Sequence, residues 1–178
     1  MEIKQLKISD IHPNMLNYFN RYQEVTQCWR KNENNWLLED VSYIRDWDED
    51  KKKWAINYFL QCIEQGGMII GAFDEYNLIG FAKIDGKLFG SLNQYINLSL
   101  LLISNEYRHK GLGSRIFVTV CEKAISLNAK KLYISAHSAK DAIAFYKKIG
   151  CKDAQEIFQE LIDETNDWEL EYELCYSR

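Results

Sequence analysis

The sequence predicts a mixed α/β fold that contains at least one pair of parallel strands. From Tyr95 to Ile149 the segments alternate between strand-like and helix-like patterns, the order that places parallel strands next to each other. The run Leu100–Ile103 is apolar at every position, which indicates a central strand buried on both faces. The chain has 178 residues and no linker rich in glycine, serine or proline. We therefore expect residues 1–178 to form one domain.

The first third of the chain predicts one strand and two helices. Polar and apolar residues alternate from Met1 to Ser9, as in a half-buried strand. Asp10 is a candidate N-cap for a helix that continues to about Arg30, with Pro13 in its opening turn. After an irregular stretch rich in tryptophan and acids, residues 49–67 predict a second helix that ends at a pair of glycines.

The remaining segments have clearer boundaries. Residues 68–73 and 78–84 predict an antiparallel hairpin. Further strands are predicted at residues 95–104, 131–136 and 168–174, and further helices from about Gly111 to Leu127 and from Ser138 to Gly150. The tail from Asp153 to Asp167 fits an extended strand as well as a short helix.

Composition argues against several classes of function. The formal net charge of −4 gives no overall field that would attract nucleic acid. Five scattered cysteines, none in C-x-x-C spacing, suggest reduced thiols in place of a disulfide framework or a zinc site. The N-terminus carries charges where a signal peptide needs an apolar run, and no window is apolar enough for a membrane span, so we expect a cytoplasmic protein. No metal is expected, because no ligand spacing relates His12, His109 and His137.

A predicted helix start, YRHKGLGSRIF at residues 107–117, combines basic residues with glycines. The run Arg108–Lys110 leads directly into Gly111, and Gly113 follows. A helix N-terminus offers unpaired N–H groups and the positive end of the helix dipole, and glycine lets an anion approach those groups closely. The turn therefore predicts a phosphate or pyrophosphate site. The alternative is a tight strand-to-helix turn beside solvated cations.

Motif matching narrows the identity of this turn. It is not a dinucleotide fingerprint, because Ile116 stands where the third glycine is needed, and no G-x-x-x-x-G-K-[ST] motif occurs. It does match [RQ]-x-x-G-x-[GA], spelled RHKGLG at residues 108–113. A second block, AIAFYKKIGC at residues 142–151, fits the pattern A-x-x-x-Y-x-K-x-G-[FC]. With both motifs in order, the chain resembles the GCN5-related N-acetyltransferases (GNAT), most clearly from Met68 to Cys151.

The resemblance implies both a fold and an activity. The fold is α/β (α+β), with a mixed, mostly antiparallel sheet of about six to seven strands, a parallel central pair and flanking helices. The activity is direct transfer of an acetyl group from the cosubstrate acetyl-CoA to a primary amine of a small molecule or peptide, with no metal. Relatives are commonly paired, so a homodimer is compatible with the resemblance.

The resemblance also implies roles for individual residues. The strand end formed by Leu101, Leu102 and Ile103 would lend its backbone to the pantetheine arm as though the arm were an added strand. Tyr146 would protonate the departing thiolate, which suits a phenol that is protonated at neutral pH. The alternative for Tyr146 is a place on the apolar face of its helix. The CoA pyrophosphate would be cradled by the backbone of Arg108, His109, Lys110, Gly111, Leu112, Gly113 and Ser114.

Some positions depart from the family pattern. Ala139 stands where many relatives have asparagine, and the neighbouring Ser138 either takes over a hydrogen bond to pantetheine or phosphate or only caps its helix. Asn97 stands where several relatives have a glutamate base, and asparagine does not accept a proton. Three candidates for the base remain: a chain of water molecules, His137, or an acid from the first third of the chain. His137 is a candidate because the ordinary pKa of histidine lies near neutrality. An acceptor amine with a low pKa would need no base.

The acceptor is less defined by the sequence. Five aromatic residues lie close to a run of acids in the first third, and aromatic faces with carboxylates would suit a cationic amine; they are Trp29, Trp36, Tyr43, Trp47 and Trp54. The alternative places the tryptophans in the core and the acids in solvent. A second function also stays open, that of a non-catalytic module that binds CoA or acyl-CoA.

Overall fold

The structure is a computed structural model, which describes residues 1–33, 35–162, 164 and 166–175. Within these residues one sheet has seven strands and a second sheet has two. In chain order the strands are β1 (Glu2–Gln5), β2 (Gln23–Asn32), β3 (Asn35–Arg45), β4 (Met68–Asp74), β5 (Asn77–Ile84), β6 (Tyr95–Ile103), β7 (Lys131–Ala136), β8 (Lys152–Asp153) and β9 (Trp168–Glu173), and the helices are α1 (Glu49–Glu64), α2 (Leu112–Ser126) and α3 (Lys140–Lys148).

The main sheet is mixed and has its parallel pair in the middle. Its strand order is β1-β4-β5-β6-β7-β9-β8. Neighbouring strands are antiparallel except for β6 and β7, which run parallel and are connected by α2. The predicted sheet of six to seven strands with a parallel central pair is therefore confirmed.

The two larger helices cover opposite faces of this sheet because each has one apolar stripe. The predicted stripe of α2 is buried against one face and consists of Leu112, Ile116, Val120 and Ala124. On the other face α1 buries Phe59 and Cys62 beside Phe81 of β5. Asp48 caps α1 by accepting a hydrogen bond of 2.8 Å from the N–H of Lys51. Both helices agree with the sequence-based prediction.

The predicted helix from Asp10 to Arg30 is wrong. Residues 13–18 form turns, and β2 continues from Gln23 to Asn32 as one strand of an antiparallel hairpin with β3. Val25 and Cys28 are both buried in one cluster, although they are three residues apart. A register irregularity between Val25 and Gln27 allows this spacing within a strand. The helix was predicted from the capping signal of Asp10 and Pro13, and these residues instead precede and open a stretch of turns.

The ends of the chain differ from expectation in detail. Strand β1 stops at Gln5, and Ile8–Asp10 form a 3-10 turn, so the first strand is shorter than predicted. The predicted last strand is confirmed as β9. Much of the tail between β8 and β9 is irregular, with a short 3-10 turn at Gln159–Leu161. Among the described residues, no helix combines the length and the apolar character that crossing a membrane requires.

Candidate active site

A cleft opens in the middle of the main sheet, where β6 and β7 diverge. The two strands pair from Tyr95 to Asn97 against Lys131 to Tyr133 and then separate. A β-bulge at Ser99 lies next to the point of separation, since Leu98 and Leu100 oppose adjacent residues of β5. Bulges bend a strand and increase its twist, which accounts for the divergence. The resulting cleft has a volume of about 850 Å³.

The walls of the cleft come from the two diverging strands and the segments that follow them. One wall is β6 from Leu98 to Ile103, and the other is formed by residues 134–137. Backbone groups on diverging strand edges need hydrogen-bond partners, and an extended ligand that carries amides can supply them. The predicted residues Leu101, Leu102 and Ile103 thus line the cleft.

The glycine turn closes one end of the cleft. Gly111 is the N-cap of α2 and has φ +79°, a left-handed conformation that glycine adopts without strain. A Cβ built on Gly111 would meet no atom within 4 Å, so the space beside this backbone is open. His109, Gly111, Gly113 and Ser114 all line the cleft. The N-terminus of α2 is therefore accessible to an anion from the cleft.

Gly113 is needed for packing, whereas Gly111 is needed for backbone conformation. A Cβ at this position would lie 3.2 Å from the ring of Phe145 on α3, closer than an ordinary contact. The missing side chain allows α2 and α3 to approach each other at the end of the cleft. The two glycines of the motif thus serve distinct purposes, one in backbone conformation and one in packing.

Arg108 binds backbone carbonyl groups of the protein. Its guanidinium donates to the carbonyl oxygens of Ile103 at 3.0 Å, Tyr22 at 2.8 Å and Arg21 at 3.0 Å. Burial lowers the pKa of Arg108, although the group stays charged at neutral pH. The side chain joins the end of β6 to the segment that leads into β2. It lines the cleft but already has several partners within the protein.

Tyr146 lies on the buried face of α3 and lines the cleft. Burial raises the pKa of its phenol well above the ordinary value of about 10. The hydroxyl therefore stays protonated at neutral pH. The position combines the two predicted alternatives, because the residue belongs to the apolar face of its helix and also reaches the cleft.

His137 follows β7 and lies at the cleft beside the β2–β3 hairpin. Its Nδ1 accepts a hydrogen bond of 3.2 Å from the N–H of Ala139, and its Nε2 lies 3.0 Å from the hydroxyl of Tyr43. Burial and the charges of Arg45, Arg21 and Arg30 lower its pKa to about 4. A neutral imidazole whose Nδ1 accepts carries its proton on Nε2. This bonding leaves the ring poorly suited to take a proton from a substrate.

Three predicted residues lie beside the cleft without lining it. Ser138 is buried, and its hydroxyl accepts a hydrogen bond of 2.9 Å from Arg30. Leu112 belongs to the core, and the ammonium group of Lys110 lies 5.7 Å from the ring centre of Tyr107. Ser138 does not cap α3, since the N-cap is Ala139 and no side-chain cap bond forms there.

The strand position where several relatives have a glutamate base is occupied by Asn97, whose side chain takes part in a buried polar network. Asn97 is buried, and its side-chain amide donates to a carboxylate oxygen of Asp85 at 2.7 Å. The same carboxylate group pairs with the ammonium group of Lys83. Ser99, which lines the cleft, donates to Asp85 at 3.2 Å. A buried polar network thus lies directly beneath the bulge of β6.

The aromatic residues of the first third do not form one cage. Trp29 and Trp36 pack on Trp168, with the rings of Trp36 and Trp168 stacked at 4.0 Å. Trp47 instead packs in the core against Phe19 and Phe81, and Trp54 stacks on Tyr58 of α1. The five aromatic side chains therefore lie in several separate places, and Tyr43 is the one among them that contacts His137 in the described residues.

Several residues that line the cleft were not predicted from sequence. They come from the segment before β2, the start of β2 and the end of β3: Arg21, Tyr22, Gln23, Glu24 and Arg45. No local pattern marks them, because the segment was interpreted as a helix. The burial of Arg21 within a polar stretch would have marked the site, but burial is decided by tertiary contacts and cannot be read from the sequence.

A mixed sheet whose parallel central strands open over a glycine-capped helix is the architecture of acetyltransferases that use CoA thioesters. The chain belongs to the acetyltransferase (GNAT) family, whose family model matches residues 21–151. The predicted family is thereby confirmed. None of the curated proteins matches the sequence.

Solved structures agree with this fold at low sequence identity. A nourseothricin acetyltransferase has a TM-score of 0.71 and 13% identity, with 98% of each chain covered. A putative streptothricin acetyltransferase from Bacillus anthracis str. Ames, solved with acetyl coenzyme A, has a TM-score of 0.68 and 17% identity, covering 99% of this chain and 97% of that one. An aminoglycoside 6'-acetyltransferase type Ii has a TM-score of 0.64 and 13% identity over the full length of both chains.

Proposed function

We propose that this acetyltransferase moves the acetyl group of acetyl-CoA directly to a primary amine, without an acetylated enzyme intermediate. The observation that carries the proposal is the cleft between β6 and β7, which ends at the glycine-capped start of α2. The cleft is lined by the β6 edge and by the start of α2, an arrangement that supports binding of a pantetheine arm joined to a pyrophosphate.

The pyrophosphate is assigned to the turn that precedes α2. Its backbone N–H groups from Arg108 to Ser114 and the positive end of the helix dipole provide the binding energy, and the open space beside Gly111 permits close approach. Lys110 adds positive charge nearby, and His109 adds a ring N–H that can donate to a phosphate oxygen. Arg108 contributes indirectly, because its bonds to three carbonyl groups hold the turn against the end of β6.

The pantetheine arm is assigned to the β6 edge of the cleft. Amides of Leu101, Leu102 and Ile103 would pair with the two amides of the arm, as a neighbouring strand does. One of these N–H groups would also stabilise the negative charge that develops on the thioester oxygen. The β-bulge at Ser99 matters here because it turns the strand edge away from β7 and keeps it accessible.

Tyr146 is proposed as the general acid. The amine nitrogen attacks the thioester carbon, the C–N bond forms and the C–S bond breaks, and the phenol gives its proton to the departing thiolate. Because burial keeps the hydroxyl protonated, this donor is available across the neutral pH range. The proton released by the attacking nitrogen leaves through water in the open cleft and later restores the phenol.

His137 is proposed as a positioning residue. Its low pKa and the hydrogen bond at Nδ1 argue against the role of general base. Its Nε2 proton instead donates to the hydroxyl of Tyr43 and so joins the β2–β3 hairpin to the residue that follows β7. The amine must then arrive unprotonated or lose its proton to water, which predicts a rate that increases with pH toward the pKa of the acceptor.

The non-catalytic alternative rests on one observation, the amide of Asn97 at the position of a strand carboxylate. A protein that only binds CoA has no need of the Tyr146 proton. Substituting Tyr146→Phe therefore separates the two functions, since the phenylalanine fills the same space.

The test measures binding and turnover in the same preparation. Calorimetry with acetyl-CoA and CoA is expected to show binding that Tyr146→Phe leaves intact. Acetyl-CoA consumption with a panel of primary amines is expected to fall about 10²-fold in this variant. Gly111→Asn, which tolerates a left-handed backbone, is expected to weaken CoA binding by placing a side chain in the open space. Wild-type protein that binds CoA yet transfers acetyl to no amine would support the non-catalytic module, and no CoA binding would refute both functions.

A further inference from the structure

Two arginine side chains meet where the main cleft joins a second, smaller pocket. This smaller pocket has a volume of about 390 Å³ and is lined by the end of β3 and the start of α1. Arg21 and Arg45 line both spaces. The two arginine side chains thus lie between the two spaces, next to the segment that Arg108 joins to the end of β6.

Arg21 is buried with little compensation for its charge. Only 7% of the residue is exposed, and its guanidinium donates one hydrogen bond of 3.0 Å to the side chain of Gln23. Within the described residues no carboxylate lies within ion-pairing distance of it. Burying a charge without a partner is unfavourable, so this group favours an anion from outside the protein.

Arg45 has an unused donor at the same place. Its Nη2 pairs with the exposed Glu164 at 3.1 Å, whereas Nη1 is buried and has no hydrogen-bond partner among the described residues. A guanidinium presents its N–H groups in a planar fork that matches the two oxygens of a carboxylate. Arg45 therefore lines both pockets and retains unused hydrogen-bonding capacity at Nη1.

Arg45 and Arg108 raise the electrostatic cost of keeping Arg21 charged. The pKa of Arg21 is lowered to about 10, because burial disfavours the charged form and because Arg45 and Arg108 repel it. The group nevertheless stays charged at neutral pH. Arg108 is engaged with carbonyl oxygens, so Arg21 and Arg45 are the members of this cluster that can bind an anion.

The nearby acids offset the charge of the pair only in part, through the ion pair between Glu164 and Arg45 and the attraction between Asp46 and Arg21. Asp46 accepts from the N–H of Trp47 at 2.8 Å, and Asp48 caps α1. Both side chains belong to exposed residues and stabilise the chain where it enters the helix. Neither of these two carboxylates lies within ion-pairing distance of Arg21 or Arg45 among the described residues.

We propose that the acceptor is an amine that also carries a carboxylate, and that Arg21 and Arg45 bind this carboxylate at the junction of the two pockets. The proposal rests on the proposed acetyl transfer, because it assigns the acceptor end of the same cleft. The carboxylate holds the molecule so that its amine extends into the cleft toward the thioester. An amine without an anionic group leaves the arginine pair uncompensated and binds more weakly.

The first experiment measures anion binding without turnover. ω-Acetamido carboxylates of increasing chain length and their uncharged primary amides are titrated by calorimetry into protein saturated with CoA. At the best length, the carboxylate is expected to bind at least about tenfold more tightly than its amide. Arg45→Gln is expected to remove this difference. Equal binding of the two compounds at every length, or no binding of either, would overturn the proposal.

Matched variants test the assignment to this pair. Lys123→Gln removes a positive charge about 16 Å along α2 from its first residue and should leave the preference unchanged. Arg21→Lys keeps the buried charge while removing the fork, so it should reduce the preference even if Arg21→Gln fails to fold. A preference that survives both Arg45→Gln and Arg21→Lys would contradict the assignment.

Two further measurements are needed. The first tells binding of an acceptor carboxylate from binding of a CoA phosphate, and the second tells failure of the anion site from failure of acetyl transfer. If the arginines bound the 3'-phosphate of CoA, Arg45→Gln would weaken CoA but not dephospho-CoA, and the acceptor assignment would be overturned. Acetyl-CoA consumption is then compared for ω-amino carboxylates and ω-amino amides. Carboxylate-selective binding without any turnover would refute acetyl transfer and leave the anion site intact. Turnover of both series at equal kcat/KM would refute the anion site and support acetyl transfer.

Discussion

Arg108→Gln distinguishes a structural role for this arginine from a direct role in binding phosphate. In the structure its guanidinium holds the carbonyl groups of Ile103, Tyr22 and Arg21, which belong to segments far apart in sequence. Glutamine is shorter and uncharged, so it replaces at most one of these bonds. We expect the variant to be less stable and to lose CoA affinity mainly because the turn is no longer fixed.

The magnitude follows from the number and type of bonds lost. A hydrogen bond that involves a charged group contributes about 1.5–3 kcal/mol when it is buried. The three carbonyl groups lie in partly buried surroundings where water can replace some of the loss, so the full sum does not apply. We expect the free energy of unfolding to decrease by about 2–4 kcal/mol.

The assay is urea unfolding of the protein without CoA, followed by calorimetry with CoA at low and high salt. Lys110→Gln is the matched control, because this exposed neighbour makes no such bonds to the backbone. The control should keep its stability within about 0.5 kcal/mol while its CoA affinity becomes less dependent on salt. An Arg108→Gln variant with wild-type stability and strongly weakened CoA binding would refute the structural role and favour direct contact with phosphate.

Three further predictions concern packing and pH. Gly113→Val should destabilise the protein by about 1–3 kcal/mol in urea, because its side chain would crowd Phe145, and wild-type stability would contradict that contact. Between about pH 4 and pH 6.5, His137 should bind a proton in the unfolded state but not in the folded state, so the free energy of unfolding should increase with pH across this window. His137→Gln should flatten that slope. An unchanged slope in the variant would contradict the lowered pKa of His137. Trp36→Ala should cost about 1–3 kcal/mol by removing the stack on Trp168, and a loss below about 0.5 kcal/mol would show that the stack contributes little.

The second half of the chain was predictable because local signals and tertiary structure agree there. The stripe of α2 has the helical period, glycines mark its start, and the following strand is short and apolar. The family motifs lie on these same elements. The glycine turn was likewise recognisable, since a left-handed cap needs glycine irrespective of the rest of the fold.

The first half was less predictable because its spacing is ambiguous. Val25 and Cys28 have a helical separation, and an irregularity in strand pairing produces the same burial. Val25 pairs with Tyr43 and Cys28 with Glu39 of β3, so a window of one or two helical turns around Val25 does not contain the pairing partners. The same reason hides Arg21 and Arg45, which reach the cleft only when the hairpin packs beside it.

The sequence by itself determined the family, the glycine-capped helix and the position of Tyr146, because each depends on residue type and short-range spacing. Tertiary structure alone decided what the polar side chains contact. It directs Arg108 to backbone carbonyl groups, lowers the pKa of His137 and buries Arg21 beside Arg45. Burial and charge–charge distances depend on which segments meet in space. They determine which residues of the motifs are available to bind a substrate.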